Sequence, residues 1–220
     1  MDKQIVWKEF RVGDLFDFVA GKQPLLKDRF DNKGKDMVPV ITGITLNNGI
    51  GFYTTKNGKQ LYRNILTISK DGEYAGTVYL QDEEVYLGGH SLGLIPKINM
   101  DSKILLYIAS RFVSFQKQGF WKTGVMVPSV QISKIDKLKI LLPATADDAP
   151  DWKYMAERIK ELEAERIKEL EAYLLATGLS DYELTEADKQ IMTEMLSKEK
   201  VITRLDIMKL LLKCNSKNSA

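Results

Sequence analysis

The chain has one cysteine, Cys214, and one histidine, His90, in 220 residues. A lone thiol closes no internal disulfide, and one His with one Cys falls short of the three or four N/S ligands that zinc takes. No apolar run approaches the ~18–20 residues needed to cross a bilayer. The opening stretch MDKQIVWKEF lacks the apolar core of a signal peptide. A cytoplasmic protein without membrane contact is therefore expected. No G-x-x-x-x-G-K-[ST] loop is present and no G-x-G-x-x-G follows a strand, so neither phosphate-cradling fingerprint is available. Asp71 and Glu73, like Asp82, Glu83 and Glu84, are acids borne on turns and read as solvated rather than Mg²⁺-binding.

One catalytic motif is present in form only. Gly89-His90-Ser91-Leu92-Gly93 matches the G-x-S-x-G elbow of α/β-hydrolases. That elbow needs a histidine base that follows the serine in the chain. The single histidine here lies inside the motif, next to the serine it would have to activate, and the long β–α alternation of a hydrolase is missing. An esterase centred on Ser91 is thus disfavoured. With no assembled active site, the residues point to a binding protein.

Charge is distributed unevenly. The net charge is +2, yet residues 1–144 carry 20 basic and 14 acidic residues and residues 145–220 carry 12 and 16. Between 103 and 139, seven basic residues face one acid, Asp136. The first part suits a polyanion and the second repels one.

The texture changes at the same place. Up to residue 145 the chain reads as α+β with more strand than helix. YRNILTISK (62–70), GTVYLQ (76–81) and the end of KIDKLKILLP (134–143) are short β-branched or aromatic runs, and glycines mark the turns between them. SKILLYIASRFVSFQKQ (102–118) instead places Ile104, Ile108, Phe112 and Phe115 on one helical face, with Ser102 as the expected N-cap. TADDAP (145–150) reads as a small polar linker. The expected organisation is a strand-rich domain over 1–145, a long helix over 150–177, a small helical segment over 180–214 and a disordered tail over 215–220.

The long helix contains ERIKELEA twice without a change, at 157–172. Residues 151–176 hold no Gly or Pro, and Gly178 is placed to end the helix. At about 100° per residue, Met155, Ile159, Leu162, Ile167, Leu170 and Leu174 share an arc of about 140°. Such a stripe packs either on its own domain or against a second long helix, and the second arrangement is favoured because 25 helical residues span roughly 37 Å. An eight-residue step drifts about 80° per repeat, so the seam is not a strict heptad.

Polar groups suited to nucleic acid are carried on the turns. Lys22 and Gln23 follow FVAG. Thr42, Asn47 and Asn48 lie in TGITLNNG, Lys56, Lys59 and Arg63 surround Gly58, and SKDGEYAG offers Ser69, Lys70 and Tyr74. His90 and Ser91 occupy the false elbow, and KQGFWKTG carries Lys117, Gln118, Trp121 and Lys122. Lysines neutralise phosphates without reading sequence, whereas Asn, Gln, Ser, Thr and His reach base edges.

The order of segments resembles the target recognition domain of DNA specificity (S) subunits of type I and BcgI-like (type IIB) restriction–modification systems. WKEFRVGDLFDFVAGKQ (7–23) is similar to the family's W-x-x-F-x-[LIV]-x-[DE]-[LI]-F start through Trp7, Phe10, Val12, Asp14, Leu15 and Phe16. ITGITLNNGIGFY (41–53) resembles the next strand and its Asn–Gly turn, and residues 66–97 resemble the central G-x-x-G block. VPSVQISKIDKLKILLP (127–143) resembles the closing segment, and PDWKYMAERIKELEAERI (150–167) the Pro-Asp-x-x-x-Met helix of BcgI-like members. The match covers residues 5–175, and its specificity lies in order and spacing rather than in any one motif. The resemblance implies a non-catalytic subunit that reads part of a split double-stranded DNA target. Its long helix would act as a coiled-coil-type spacer and dock a methyltransferase subunit. S-adenosylmethionine would sit on that partner and no cofactor on this chain; a restriction subunit or fused nuclease would supply cleavage. Typical S subunits carry two recognition domains and two helices, and this chain carries one of each. Either it is half of a larger protein, or two copies pair as a homodimer through the helix and read an inverted repeat. The competing reading is an antirestriction protein that occupies the methyltransferase without reading DNA.

Overall fold

Among the described residues, short β-branched runs separated by glycine turns build three small sheets, and the helix Ser102–Lys117 packs in one core with strands of two of them. The structure is a computed structural model and describes residues 5–117, 121, 128–178 and 190. The elements are β1 (Val6–Arg11), α1 (Val12–Leu15), β2 (Phe16–Ala20), β3 (Met37–Ile41), β4 (Ile50–Thr55), β5 (Ile65–Ser69), β6 (Val78–Gln81), β7 (Tyr86–Leu87), β8 (Ser91–Pro96), α2 (Ser102–Lys117), α3 (Ile132–Lys137), β9 (Lys139–Ala144) and α4 (Trp152–Ala176). The class is α+β, as the segment pattern predicts.

The sheets are β1–β9, β2–β8–β5–β6 and β4–β3–β7. Every pairing is antiparallel except β3 with β7. β5 is central in the four-stranded sheet, and all five of its residues are buried. The polar pair this burial creates is satisfied internally. Gln81 Nε2 donates to Thr67 Oγ1 at 3.0 Å and to the Asn48 carbonyl at 3.0 Å. Each such bond contributes about 1 kcal/mol net, and leaving a buried donor unpaired costs more than that.

The main core joins Leu66 and Ile68 of β5, Leu92 and Leu94 of β8, Ile108 and Phe112 of α2, Ile140 and Leu142 of β9, and Met155 and Ile159 of α4. The apolar face expected on α2 is thus the buried one, with Ile104 and Phe115 packed at its margins. Its cap is one residue earlier than the sequence suggests. Asp101 Oδ1 accepts the Ile104 N–H at 2.9 Å, which places Ser102 inside the helix. A carboxylate at this position also meets the positive end of the helix dipole.

The strand expected at the end of KIDKLKILLP is β9, which starts at Lys139 directly after the short helix α3 ends at Lys137. One other expectation changes. The 145–150 segment is a tight turn rather than a linker. The Thr145 N–H donates to the Ala149 carbonyl at 2.8 Å, Asp148 takes φ 63°, and Ala144 bridges Pro150. Asp tolerates this left-handed conformation better than most residues, and Lys8 pairs with its carboxylate.

α4 starts from Asp151, whose Oδ1 accepts the Tyr154 N–H at 2.9 Å, and is followed by Gly178 at φ 70° as expected. The chain divides into two compact units within this helix, one through Lys168 and one from Glu169. The division is not at the 145–150 turn because Met155 and Ile159 belong to the main core. In the second unit Leu170 and Leu174 are half-buried and Leu175 is exposed. The helices expected over 180–214 and the tail over 215–220 lie outside the described residues.

Candidate nucleic-acid interface

Strand register gathers several of the turns at one end of the four-stranded sheet. β2 ends where β8 begins, with Ala20 opposite Leu92, and β5 ends there too, with Ser69 opposite Ser91. β3 and β7 run parallel into the same end, and the Gly88 N–H donates to the Ile41 carbonyl at 2.8 Å. The turns after β2, β3 and β5 and the turn before β8 therefore emerge together. Main-chain bonds tie them. The Gly21 N–H donates to the Ser91 carbonyl at 3.0 Å, Lys22 to Leu87 at 2.8 Å and Lys70 to His90 at 2.9 Å. Ser69 Oγ donates to the Gly43 carbonyl at 3.0 Å.

This cluster presents Lys22, Gln23, Tyr74 and His90 as exposed side chains, with Lys70 and Thr42 half-buried among them. Gln23 Oε1 accepts the Gly89 N–H at 3.3 Å, which ties the β2 turn to the β8 turn. A cleft of about 360 Å³ opens beside Lys22 and is also lined by Lys59, Gln60, Tyr62 and Tyr86. Burial, and then the neighbouring Tyr86, raise the Tyr62 hydroxyl above its ordinary value, so it remains a neutral donor in this cleft. Lys59 Nζ donates to Thr55 Oγ1 at 3.3 Å at its rim.

Other expected contacts are engaged or placed elsewhere. Lys56 follows β4 at the opposite strand end and pairs with Glu84 at 2.8 Å; that bond raises the lysine and lowers the carboxyl. Arg63 donates to the Asp82 carbonyl at 2.9 Å, also away from the cluster. Asn48 takes φ 53°, and its amide donates to the Leu80 carbonyl at 2.9 Å, so the side chain builds the turn instead of reading bases. Asn47, at φ 50°, is exposed on the same turn.

Ser91 is fully buried, and its hydroxyl donates to the Gly88 carbonyl at 2.8 Å. It reaches neither a base edge nor a substrate carbonyl, which corrects its place among the DNA contacts and removes the esterase reading. Trp121 is also corrected. At 2% exposure its ring fills the space over Gly76, where a Cβ would lie 1.9 Å from Nε1. Lys117 is the last residue of α2 and its side chain lies outside the described part, as do Gln118 and Lys122 altogether.

Sequence reasoning missed the role of Asp71. Its Oδ1 accepts the Ser129 hydroxyl at 2.8 Å, and its Oδ2 lies 3.7 Å from His90 Nδ1 and 4.0 Å from Lys70 Nζ. The Asp71-Gly72 turn was the available signal, but its partner Ser129 is far along the chain and no local pattern connects them.

Residues 5–172 match the family model described as the type I restriction modification DNA specificity domain. The type II restriction enzyme BgcI specificity subunit S.BcgI of Heyndrickxia coagulans is 26% identical over 162 residues, which cover 74% of this chain and 45% of that one. The S subunit of a type I restriction–modification system from M. genitalium has a similar fold, with a TM-score of 0.56 at 18% identity over 80% of this chain and 44% of that chain. So does the HsdS subunit from Thermoanaerobacter tengcongensis, with a TM-score of 0.52 at 14% identity over 90% and 46%. The chain spans a little under half the length of these relatives. It belongs to the DNA specificity subunit family of restriction–modification systems.

Proposed function

We propose that this chain reads one part of a split DNA target with the turn cluster at the end of its four-stranded sheet and directs a partner methyltransferase there. One observation carries the reading. Turns from four strands meet at one end and carry exposed Lys22, Gln23, Tyr74 and His90 on a main-chain framework that fixes their positions. Cations on such a surface neutralise phosphates and set register, and the neutral polar groups contact base edges. The chemistry of methyl transfer belongs to the partner, which binds S-adenosylmethionine; cleavage belongs to a restriction subunit or fused nuclease. α4 serves as the spacer, and its exposed Leu162 and Ile167 pair two copies so that two half-sites are read together.

The test is co-expression of the full chain with a methyltransferase subunit of its own system, followed by methylome sequencing. Methylation at a bipartite motif is the expected result, and an unmethylated genome rejects the reading. In binding assays, Lys22→Gln and Lys70→Gln are each expected to lower the slope of log K against log [salt] by about 1, leaving the motif itself unchanged.

A further inference from the structure

We propose that Leu26, supported by Leu25, reads the C5-methyl group of a thymine in the target, an apolar contact beside the polar ones of the turn cluster. The proposal rests on the DNA-reading role above and names a specificity-determining residue within it.

Leu26 is 81% exposed, the highest value for a large apolar side chain among the described residues, and Leu25 is 63% exposed. Single apolar side chains on a surface are ordinary, but two in succession on a fixed turn present an apolar edge that folding leaves uncovered. The backbone beneath them is held throughout. Pro24 before them is buried. The Asp28 N–H donates to the Leu25 carbonyl at 2.9 Å and the Arg29 N–H to the Leu26 carbonyl at 3.2 Å, closing a single 3₁₀ turn over Leu26–Asp28. Upstream, the Lys22 N–H donates to the Leu87 carbonyl, and Gln23 Oε1 accepts the Gly89 N–H. Downstream, Phe30 exchanges two main-chain bonds with Tyr53 of β4, at 3.0 and 2.8 Å. The two leucines are thus pinned between the turn cluster and β4.

The surroundings decide what covers them. Lys22, Lys27 and Arg29 flank the pair against one acid, Asp28. Lys22 and Lys27 are exposed, and the Arg29 guanidinium lies 4.2 Å over the Phe52 ring. The core of a protein–protein interface is depleted of charge and of lysine in particular, whereas cations around an apolar tip match a groove edged by phosphates. In the major groove guanine, adenine and cytosine offer hydrogen-bonding atoms, and thymine alone adds a methyl group. A leucine makes no hydrogen bond there, so it distinguishes thymine by burying that methyl, which removes apolar surface of both partners from water. The polar groups of the cluster read donors and acceptors; Leu26 adds a letter that none of them supplies.

The experiment selects the motif of the full-length chain from randomised duplexes. It then measures binding to duplexes in which each thymine in turn is replaced by deoxyuridine, whose base lacks only the methyl. Replacement at one thymine is expected to weaken wild-type binding by about four-fold, the effect of burying one methyl-sized group. Leu26→Ser should bind the thymine and uracil duplexes equally at that position and keep the rest of the motif, with a thermal melt confirming an unchanged fold. Leu26→Met, which stays apolar, should keep the discrimination. A motif without thymine, wild-type binding indifferent to uracil at every thymine, or discrimination that survives Leu26→Ser overturns the proposal. So does a Leu26→Ser chain that binds DNA as the wild type does but no longer co-purifies with its methyltransferase, which assigns the turn to that partner. If the wild type enriches no motif at all, the DNA-reading role itself fails, and that result is distinct from the others.

Discussion

Gly21 leaves β2 at a point where a side chain has no room. A Cβ there would lie 1.9 Å from the Gly88 carbonyl oxygen, a main-chain atom of the turn that carries His90. The Gly21 N–H meanwhile donates to the Ser91 carbonyl at 3.0 Å. Gly21→Ala must push apart the two main-chain segments that hold the turn cluster together. It is expected to cost about 2 kcal/mol, as overpacking against backbone typically does. A lower urea midpoint at unchanged m-value would show this, and a midpoint equal to wild type would contradict it. Sequence alone marks Gly21 as a turn glycine, because glycine between apolar runs is a local signal. It does not reveal the contact with Gly88, which strand register creates between segments far apart in the chain. Ser91 illustrates the same limit. Its hydroxyl looks available in a Gly-rich turn, but the strand it starts is buried on both faces.

The two ERIKELEA copies separate sequence from environment at the scale of an element. Ile159 in the first is 8% exposed and packs with Met155 in the main core, whereas its equivalent Ile167 in the second is 55% exposed. Glu163 of the first copy pairs with Lys103 of α2, and Arg158 bridges within the helix to Glu161 at 3.0 Å and Glu165 at 3.8 Å. Identical octads therefore have different roles. Ile159→Ala should destabilise the chain by about 2 kcal/mol or more, the range for a buried aliphatic deletion. Ile167→Ala should stay within about 0.5 kcal/mol in a single chain. Equal losses in denaturant titrations would mean that both copies pack alike. The helix itself was legible, since it rests on local propensity and a glycine stop. Which turns of its apolar stripe are covered was not, because all six residues share one arc and the pattern holds no record of where the domain surface ends.

For the whole molecule, the doubled octad offers a test of the spacer role, because removing either copy leaves the same sequence. The remaining copy keeps Ile159 and Glu163, and with them the contacts that fix the start of α4. Every residue that follows the deleted octad moves back by about 12 Å and turns by about 80° relative to that start. If α4 spaces two half-sites, 12 Å corresponds to three or four base pairs at a rise of ~3.4 Å. The expected methylome of the deletion keeps both half-site sequences and shortens the gap between them. Alternatively, the rotation misaligns Ile167, Leu170 and Leu174, methylation is lost and half-site binding by the full chain survives. The mass of the chain in solution separates these outcomes. A wild-type dimer that becomes a monomer on Leu162→Glu with Ile167→Glu places the stripe at the pairing surface, since both side chains are exposed and their replacement leaves the core untouched. An octad deletion with full methylation at unchanged spacing would mean that the repeat packs locally, and that the distance between half-sites is set elsewhere.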